Sequence, residues 1–573
     1  MLDRLRPGPF PTFPQSALRP GLPPPPGGRR SRGTSNDPMR ILLTVLCLLL
    51  ALPVLGVLGA WLSIDAAALA VLRHQWSTVL PGYVWQSALL ALGVGLGVMA
   101  LGAATAAAVT LFEFPGRRFF EWALLLPLAM PAYVLAYAWT DALQFSGPLQ
   151  SGLREALGLR GALWPDVRSL PMAVLLFVLC LYPYVYLLTR AALGERAVRM
   201  MEAARLLGAP MRRRVLEVAL PMARPAIAAG TALALMETLA DYGVGAYFGL
   251  ATFSTGIYKA WLVMNDRIAA AQLAAMLLVV VAAVLMAERA AQRRLRFASS
   301  RGAGASADAR PLVLRGAAAA AMVLFCGLPV LLGFLLPVAW LAHMLWQEAQ
   351  GSASGLPLAR FAQWALASFQ LAAGAALAAT ALALALAFVL RQRRGWLLPA
   401  AARVLSLGYA VPGAVIAVGI LLPLGWVQDR WPEAGAAALV TGTVFGLLYA
   451  YLVRFSAVAL QSVEAGYARV PVSIDETARM LGSGPRRVFT ELHLPLLRRS
   501  ALGAALLVFV DVMKELPATL VLRPFGSDTL AVVAYNLARD ERLAEAALPS
   551  LAIVAVGLIP VVLLSRALRA PPA

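Results

Sequence analysis

The sequence predicts an all-α polytopic membrane protein with about twelve transmembrane helices, arranged as two tandem halves of six. The first observation is composition: the 573 residues are 60% hydrophobic and 14% charged, with a mean hydropathy of +0.75. Soluble domains usually carry about 25% charged residues. The second observation is a series of apolar runs long enough to cross a bilayer. The third is a polar stretch that occurs twice, once in each half.

The net charge of +20 comes mainly from short arginine clusters between apolar runs. This pattern is typical of membrane orientation rather than of a nucleic-acid-binding face, so no nucleic-acid partner is predicted. The three cysteines, Cys47, Cys180 and Cys326, lie singly in apolar runs, and the three histidines are equally scattered. No metal site built from Cys and His is therefore predicted.

Composition also divides the chain into segments. Residues 1–40 are rich in proline and arginine, cannot bury a core, and are predicted to be a disordered cytoplasmic tail. A segment rich in serine, glycine and alanine at 299–316 is predicted to be a flexible linker. It separates a first half at 41–298 from a second half at 317–570.

A transmembrane helix needs about 20 mainly apolar residues. Twelve candidate spans satisfy this requirement, six in each half. They are 41–62, 86–112, 119–142, 170–189, 225–248, 268–288, 317–346, 366–390, 398–425, 437–453, 500–522 and 548–565. Most of the 49 lysine and arginine residues fall on one side when the amino terminus is inside. Both termini are therefore predicted to be cytoplasmic.

The stretch EAARLLGAPMRRRVLEVALP at Glu202–Pro221 returns as ETARMLGSGPRRVFTELHLP at Glu476–Pro495, an offset of 274 residues. Each copy lies between the fourth and fifth span of its half, on the cytoplasmic side. The local pattern predicts a helix, a sharp turn at a glycine, and a second short amphipathic helix that ends at a proline. A loop that only binds anionic lipid would explain the arginines, but not the matched Glu, Gly and Leu-Pro.

The spacing E-A-A-x-x-x-G followed by L-P resembles the EAA loop of ABC-importer membrane subunits, here at 196–225 and 470–499. The resemblance implies a type I ABC importer permease fold in the bacterial inner membrane, with both loops docked on a cytoplasmic ATPase. The implied coupling residues are Glu202, Ala203, Ala204, Gly208, Arg212, Arg213, Leu220 and Pro221 in the first copy, and Glu476, Ala478, Gly482, Arg486, Arg487, Leu494 and Pro495 in the second. The second copy reads E-T-A, a mild departure.

By this resemblance, the two glutamates would pair with a basic residue of the ATPase, and the two glycines would let the turn pack closely. The helices that follow the glycines would fill grooves on the ATPase. A phosphate-binding loop needs Gly-Lys-Ser/Thr, but Lys259 follows Tyr258 and Lys514 follows Met513. The chain is therefore predicted to be a translocation subunit without enzymatic activity or cofactor, and ATP and Mg would bind to the partner.

Two loops on one chain imply a fused pair of permease halves served by two ATPase copies. The partners implied are those ATPase subunits, a periplasmic substrate-binding protein and membrane lipid. The segments Asp241–Trp261 and Asp511–Tyr535 resemble the fused permeases of ferric-iron importers, which typically carry K-E-L-P-A-T-L-x-L-R-P-F-G in the second half. The implied cargo is ferric iron.

Other functions stay open from the sequence. Thiamine and phosphonate importers have similar fused permeases. An ion-driven secondary transporter also shows repeats and membrane carboxylates, but it has no need of paired EAA loops. A membrane scaffold or sensor is disfavoured because the sequence shows no sizeable soluble domain.

The same offset pairs Glu237 with Asp511 and Asp241 with Glu515 in the predicted fifth spans, and Lys514 lies beside them. Members of each acidic set are four residues apart, on one predicted helix face. Charges inside a membrane are costly, so they usually face a cavity or a partner.

Two interpretations of this charged group remain. In the first, the carboxylates line the transport pathway near its outer mouth, where oxygen ligands suit a hard trivalent cation. Tyr242 and Tyr247 would add to that environment. In the second, the group is a structural ion-pair network that holds the two halves together, with Lys514 neutralising Asp511 or Glu515.

Overall fold

The computed structural model describes residues 38–59, 65–193, 198–299, 312–351, 355–392 and 395–569. The predicted disordered tail therefore lies outside the described residues up to residue 37, and most of the predicted linker, 300–311, also lies outside them. The boundaries of the tail, halves, loops and linker stay predictions.

The described chain is almost entirely helical. The helices before the linker are α1 (Pro38–Gly59), α2 (Ala66–Ser77), α3 (Leu80–Leu111), α4 (Arg117–Ala123), α5 (Ala132–Leu143), α6 (Pro148–Leu157), α7 (Leu170–Ala192), α8 (Val198–Leu206), α9 (Met211–Arg213), α10 (Leu220–Ala240), α11 (Gly243–Tyr247), α12 (Phe253–Tyr258) and α13 (Arg267–Ser299). Two short parallel strands, β1 (Phe112–Glu113) and β2 (Leu312–Val313), pair beside the end of α3.

The second half repeats this order. Its helices are α14 (Gly316–Val330), α15 (Leu336–Gly351), α16 (Leu358–Arg391), α17 (Leu397–Leu405), α18 (Gly413–Arg430), α19 (Ala436–Thr441), α20 (Phe445–Tyr467), α21 (Val472–Met480), α22 (Pro485–Arg487), α23 (Leu494–Lys514), α24 (Pro517–Leu522), α25 (Leu530–Arg539) and α26 (Leu543–Arg569). The structure is thus all-α in character, as predicted.

Nine helices of the described ranges are long and apolar enough to cross a membrane. A tenth span is formed if Arg117–Ala129 and Ala132–Leu157, which are bent by 89° at a break, are taken together. The predicted span 398–425 is split between α17 and α18. The predicted span 437–453 begins later, at Phe445, because the sequence Thr-Gly-Thr at 441–443 interrupts the helix.

The two split spans break for the same physical reason. Met130 precedes Pro131 and Val411 precedes Pro412, and both residues before proline are extended, with ψ of 114° and 124°. The proline ring disfavours helical geometry in the residue before it, so the helix stops and restarts. The sequence carried this signal, but the prediction treated both spans as continuous. The breaks expose backbone groups to the interior of the bundle.

The two halves pack alike and interlock. In the first half α7 packs between α3 and α10, and in the second half α20 packs between α16 and α23. The first helix of each half instead packs against the broken third span of the other half: α1 contacts α17 and α18, and α15 contacts α5. Trp340 Nε1 donates to Asp141 Oδ2 at 3.0 Å in the second of these contacts. The two halves therefore share one core.

The α1–α18 crossing is closed by small residues. A Cβ atom placed on Gly419 of α18 would lie 2.2 Å from the carbonyl oxygen of Pro53 in α1. Only glycine permits this approach, and small residues at helix crossings are typical of membrane bundles. The sequence prediction of two tandem halves did not include this exchange of first helices.

Candidate functional sites: two matched loops and a charged cavity

The two repeated stretches fold into the same loop. In the first copy the amide of Leu207 donates to the carbonyl of Ala203 at 3.1 Å, and Ala209 donates to Ala204 at 3.0 Å. In the second copy the matched bonds run from Leu481 to Thr477 and from Ser483 to Ala478, both at 3.0 Å. These bonds close the helix end in each copy, so the sequence match is a match of backbone geometry.

The glycine in each loop is required by its backbone conformation. Gly208 has a φ of 79° and Gly482 a φ of 77°, both in the left-handed region. A Cβ atom on either glycine would meet no other atom of the chain within 4 Å. Close packing within this chain is therefore not the reason for glycine, and close packing of the turn on the ATPase stays a prediction. The reason is the left-handed turn, which ordinary L-residues adopt at a cost of about 1 kcal/mol or more.

The predicted second short helix of each loop is wrong as a separate element. The chain is helical without a break from Met211 to Ala240, and Leu220 and Pro221 lie inside that helix. A π-helical segment, Arg214–Ala219, precedes the proline, and Val488–His493 precedes Leu494 and Pro495 at the matched place. Because a proline ring clashes with the carbonyl four residues earlier, a wide π turn lets the helix continue through it.

The end of each loop helix presents two bare apolar side chains. Leu206 and Leu207 are 82% and 87% exposed, and the matched Met480 and Leu481 are 88% and 80% exposed. Large apolar side chains so exposed at corresponding places of two loops are typical of an interaction surface. The prediction named residues on either side of these pairs, but not the pairs themselves.

Some charged residues of the loops form ion pairs within their own loop. Arg213 contacts Glu217 at 2.6 Å, and the matched Arg487 contacts Glu491 at 2.7 Å. Glu202 lies 3.8 Å from Arg205, whereas Glu476 makes no ion pair within the described residues. These surface pairs contribute little to stability. The remaining predicted loop residues Ala203, Ala204, Ala478, Arg212 and Arg486 lie at least partly exposed on the same two loops.

At the other end of α10 and α23, a cavity of about 160 Å³ lies between the two halves. All five residues predicted for the pathway line it, namely Glu237, Asp241, Asp511, Lys514 and Glu515. The two helix breaks contribute Met130 and Pro131 from one half and Tyr409 from the other. Interrupted helices that face a cavity are typical of membrane transport sites.

Asp241 and Glu515 hold the chain where the two helices end. The predicted spans 225–248 and 500–522 are too long, because α10 ends at Ala240 and α23 at Lys514. Asp241 Oδ1 accepts from the amide of Val244 at 2.8 Å. Glu515 accepts from the amides of Ala518 and Thr519 at 2.8 and 2.9 Å. These two carboxylates therefore start the next helices instead of sharing a helix face with Glu237 and Asp511.

One protein family and several known proteins are similar to this chain. The family described as binding-protein-dependent transport system inner membrane component matches residues 97–297. The chain is 25% identical to the Fe(3+)-transport system permease protein FbpB 2 of Haemophilus influenzae, over 83% of this chain and 88% of that protein. It is 29% identical to the putative 2-aminoethylphosphonate transport system permease protein PhnV of Salmonella typhimurium, over 28% of this chain and 59% of that protein.

The molybdenum transport system permease protein ModB of Escherichia coli is 30% identical over 28% of this chain and 69% of its own length. The chain belongs to the family of binding-protein-dependent transport system inner membrane components. It is therefore a multi-pass inner-membrane permease and a transport subunit. An ion-driven secondary transporter and a membrane scaffold are accordingly set aside.

One charged residue of this permease was missed from the sequence. Arg454 in α20 lines the cavity, and its guanidinium group contacts Glu515 at 3.3 Å. A single arginine inside the apolar run LLYAYLVRFSAVAL was the available signal, because such residues face a partner or a cavity. The ion pair lies within the second half, and the structural interpretation, which concerned Lys514, stays a prediction.

The remaining predicted residues have different partners. Lys514 Nζ donates to the carbonyl of Leu128 at 3.4 Å, at the break of the third span. Tyr242 stacks on Tyr258 and shares a 3.2 Å hydrogen bond with Tyr535, and Tyr247 accepts from Arg168 at 3.3 Å. Within the described residues, no three His, Cys, Asp or Glu side chains are grouped closely enough to hold a metal ion. The cavity carboxylates of the permease are thus spread around its wall.

The second loop of the permease is anchored to the bundle by a buried polar network. Arg391 at the end of α16 donates to Asp475 Oδ2 at 2.6 Å, and His493 Nε2 donates to Asp475 Oδ1 at 2.6 Å. The Tyr467 hydroxyl and His493 Nδ1 share a hydrogen bond of 3.2 Å. Burial alone would raise the pKa of the Asp475 carboxyl, but the hydrogen bonds from Arg391 and His493 outweigh burial and lower that pKa below its ordinary value.

The first loop is anchored differently. The residues that occupy the matched places are Leu193, Met201 and Ala219, all buried and all apolar. The two loops of the permease therefore share a backbone and an exposed tip but not the chemistry that joins them to the membrane bundle. The repeat carried one signal of this difference, because His493 lies inside the second stretch where the first has Ala219, but its partner Asp475 precedes the matched stretch.

Proposed function

We propose that this permease translocates ferric iron delivered by a periplasmic binding protein, and that two copies of a cytoplasmic ATPase drive it. Both termini would then lie in the cytoplasm, and ATP and Mg would bind to the ATPase alone. The observation that supports the coupling role is the pair of matched loops, each with two bare apolar side chains at its tip. Two equivalent docking surfaces suit two equivalent motor subunits.

The coupling role can be tested on the exposed tips. Leu206→Ser with Leu207→Ser, and Met480→Ser with Leu481→Ser, remove apolar surface without touching the core of this chain. Burial of one such side chain in an interface contributes about 1.5–3 kcal/mol, so each double change should weaken docking at its loop at least about 100-fold. The measurement is recovery of the ATPase with the purified permease.

A matched control is Phe525→Ser, because Phe525 is fully exposed but lies between α24 and α25, away from both loops. This variant should keep the ATPase. If the four tip substitutions together leave ATPase recovery and transport at the unmodified level, the docking proposal is wrong.

Two observations support ferric iron as the cargo. The similarity to a Fe(3+)-transport permease extends over 83% of this chain, whereas the likeness to the phosphonate and molybdenum permeases covers 28%. The cavity adds four carboxylates, and a hard trivalent cation prefers oxygen ligands. Because these carboxylates are spread out, they would pass the cation onward without holding it tightly.

The cargo test measures uptake of radioactive ferric iron, 2-aminoethylphosphonate and molybdate in cells with and without the chain, its ATPase and its binding protein. Glu237→Gln and Asp511→Asn keep the side-chain shapes but remove two charges from the cavity. We expect ferric-iron uptake to fall at least about fivefold with both changes, since roughly 1 kcal/mol or more of cation attraction is lost. Unchanged iron uptake would show that the carboxylates have no role in the transport pathway.

A further inference from the structure

A second cavity, of about 640 Å³, lies between the second loop and the ends of two membrane helices. Its volume falls in the range typical of small-molecule sites. Its walls come from the start of α1, the end of α16 and the segment from α21 to the π-helical turn. The lining residues are Met39, Ala385, Phe388, Val389, Arg391, Gln392, Asp475, Arg479, Ser483, Pro485, Arg486, Val488, Phe489 and His493.

The charge of this cavity is unbalanced. Among the described residues that line it, the one acidic residue, Asp475, is already bound by Arg391 and His493. Arg479 is four residues from Asp475 and so lies on the same face of α21, the face turned toward α16. Within the described part of the chain, the guanidinium groups of Arg479 and Arg486 make no ion pair or hydrogen bond. Two arginines therefore offer their donors to an anion that comes from outside the chain.

The opposite wall is apolar. Phe388 of α16 and Phe489 of the loop lie with their ring centroids 5.0 Å apart, and Val389 and Val488 extend this surface. α16 is one of the membrane-spanning helices, so the apolar wall continues from the hydrocarbon region toward the arginines. An occupant that fits both walls has an anionic head and an apolar tail.

We propose that this cavity binds an anionic phospholipid, with its phosphate between Arg479 and Arg486 and an acyl chain along α16. Basic pockets between membrane helices on the cytoplasmic side are suited to such headgroups. The bound lipid joins the second loop to α16 and so stiffens the attachment of that loop to the bundle. The proposal holds whatever cargo the permease carries.

Charge argues against the amino-terminal tail as the occupant. Residues 1–37 lead directly to Met39 at the cavity, but they contain six arginines and two aspartates, and the two unpaired arginines would repel them. The other candidate is an acidic side chain of the ATPase. The tip residues Met480 and Leu481 point to a separate docking surface, because they are exposed to solvent while Asp475 on the same helix faces α16.

The test uses the purified complex, stripped of lipid and titrated with phosphatidylglycerol while native mass spectrometry counts bound lipid. The variant R479Q/R486Q is compared with R205Q/R212Q, which makes the matched changes in the first loop. Two basic residues near a membrane surface contribute about 1 kcal/mol each, so we expect roughly 30-fold weaker binding in R479Q/R486Q and little change in the control.

Two further ligands distinguish the source of the anion. Phosphatidylcholine should bind weakly because its headgroup is neutral, and glycerol 3-phosphate should bind weakly because it lacks an acyl chain. Equal binding of phosphatidylglycerol to both arginine variants would overturn the proposal, as would glycerol 3-phosphate binding as tightly as the lipid. If R479Q/R486Q instead loses the ATPase while its lipid affinity is unchanged, the arginines serve the motor and the lipid site is wrong.

Discussion

The buried carboxylate of Asp475 provides the sharpest test of how the second loop is held. Asp475→Asn keeps the shape of the side chain, but it removes the charge that faces Arg391 and His493. The side chains of these three residues are 6%, 13% and 2% exposed, so solvent cannot replace the lost partner. Breaking a buried pair by removing one partner costs about 3–5 kcal/mol.

The lower end of that range applies here. Arg391 keeps the backbone carbonyls of Tyr467, Val470 and Pro471 as acceptors at 3.3, 2.9 and 3.0 Å. A cost of about 3 kcal/mol raises the population of the detached loop roughly 100-fold. Hydrogen–deuterium exchange measures this population directly, since amides of a locally opened segment exchange through the open state.

We expect exchange in residues 472–493 to accelerate by about two orders of magnitude in Asp475→Asn, while exchange in the first loop stays unchanged. The matched control is Met201→Leu, a conservative change at the corresponding apolar place of the first loop. Because the pKa of Asp475 is lowered on folding, its contribution is complete above the ordinary value of about 3.9 and is lost as pH falls through the folded value. If exchange in 472–493 matches the unmodified chain at pH 7, the network does not anchor the loop.

Three other predictions follow from local geometry. Gly482→Ala should destabilise the left-handed turn by about 1 kcal/mol and reduce transport. Gly482→Asn should retain most of the transport, because Asn tolerates left-handed backbone. Equal transport by the two variants would contradict the need for a left-handed turn. Gly419→Ala places a Cβ 2.2 Å from a carbonyl oxygen of α1, so it should destabilise the fold by about 1–3 kcal/mol and lower the unfolding temperature. Gly503→Ala, with open space around it, should not, and similar melting of the two variants would argue against a tight crossing. Tyr242→Phe removes the hydrogen bond to Tyr535 between the halves. Basal ATPase activity without binding protein should therefore rise by up to about fivefold. An unchanged basal rate would show that this contact does not hold the halves together.

Much of the fold could be predicted because it depends on patterns of residues that are close together in the sequence. The apolar runs located membrane helices because every backbone group in lipid must be satisfied within a helix. The repeat located the two loops because each copy carries a glycine, which permits the left-handed turn, and a Leu-Pro pair at the same spacing, both visible in the sequence. The predicted cavity residues also converge, since Glu237 and Asp511 occupy equivalent places at the ends of equivalent helices.

What the sequence did not predict depends on contacts between distant parts of the chain. The exchange of first helices places Pro53 against Gly419, and no periodicity records such a pairing. Arg454 was passed over because it lies alone in an apolar run, and its partner Glu515 is 61 residues away. The helix breaks at Pro131 and Pro412 were visible as prolines, but a proline inside a membrane helix often only bends it.

The two halves have the same backbone fold, but their charged residues are distributed unequally. Arg454 and Lys514 of the second half correspond to Cys180 and Ala240 of the first, and Cys180 donates its thiol to the carbonyl of Met130 at 2.6 Å. Both basic groups that line the central cavity in the described part of the chain therefore come from the second half. Among the described residues, the second loop is likewise joined to its bundle by directional hydrogen bonds, whereas the matched places of the first loop hold buried apolar side chains. Directional bonds fix an angle, whereas apolar surfaces can slide by small amounts at little cost. Equal force applied at the two tips should thus turn the second half with its loop as one body, while the first half shifts against its loop.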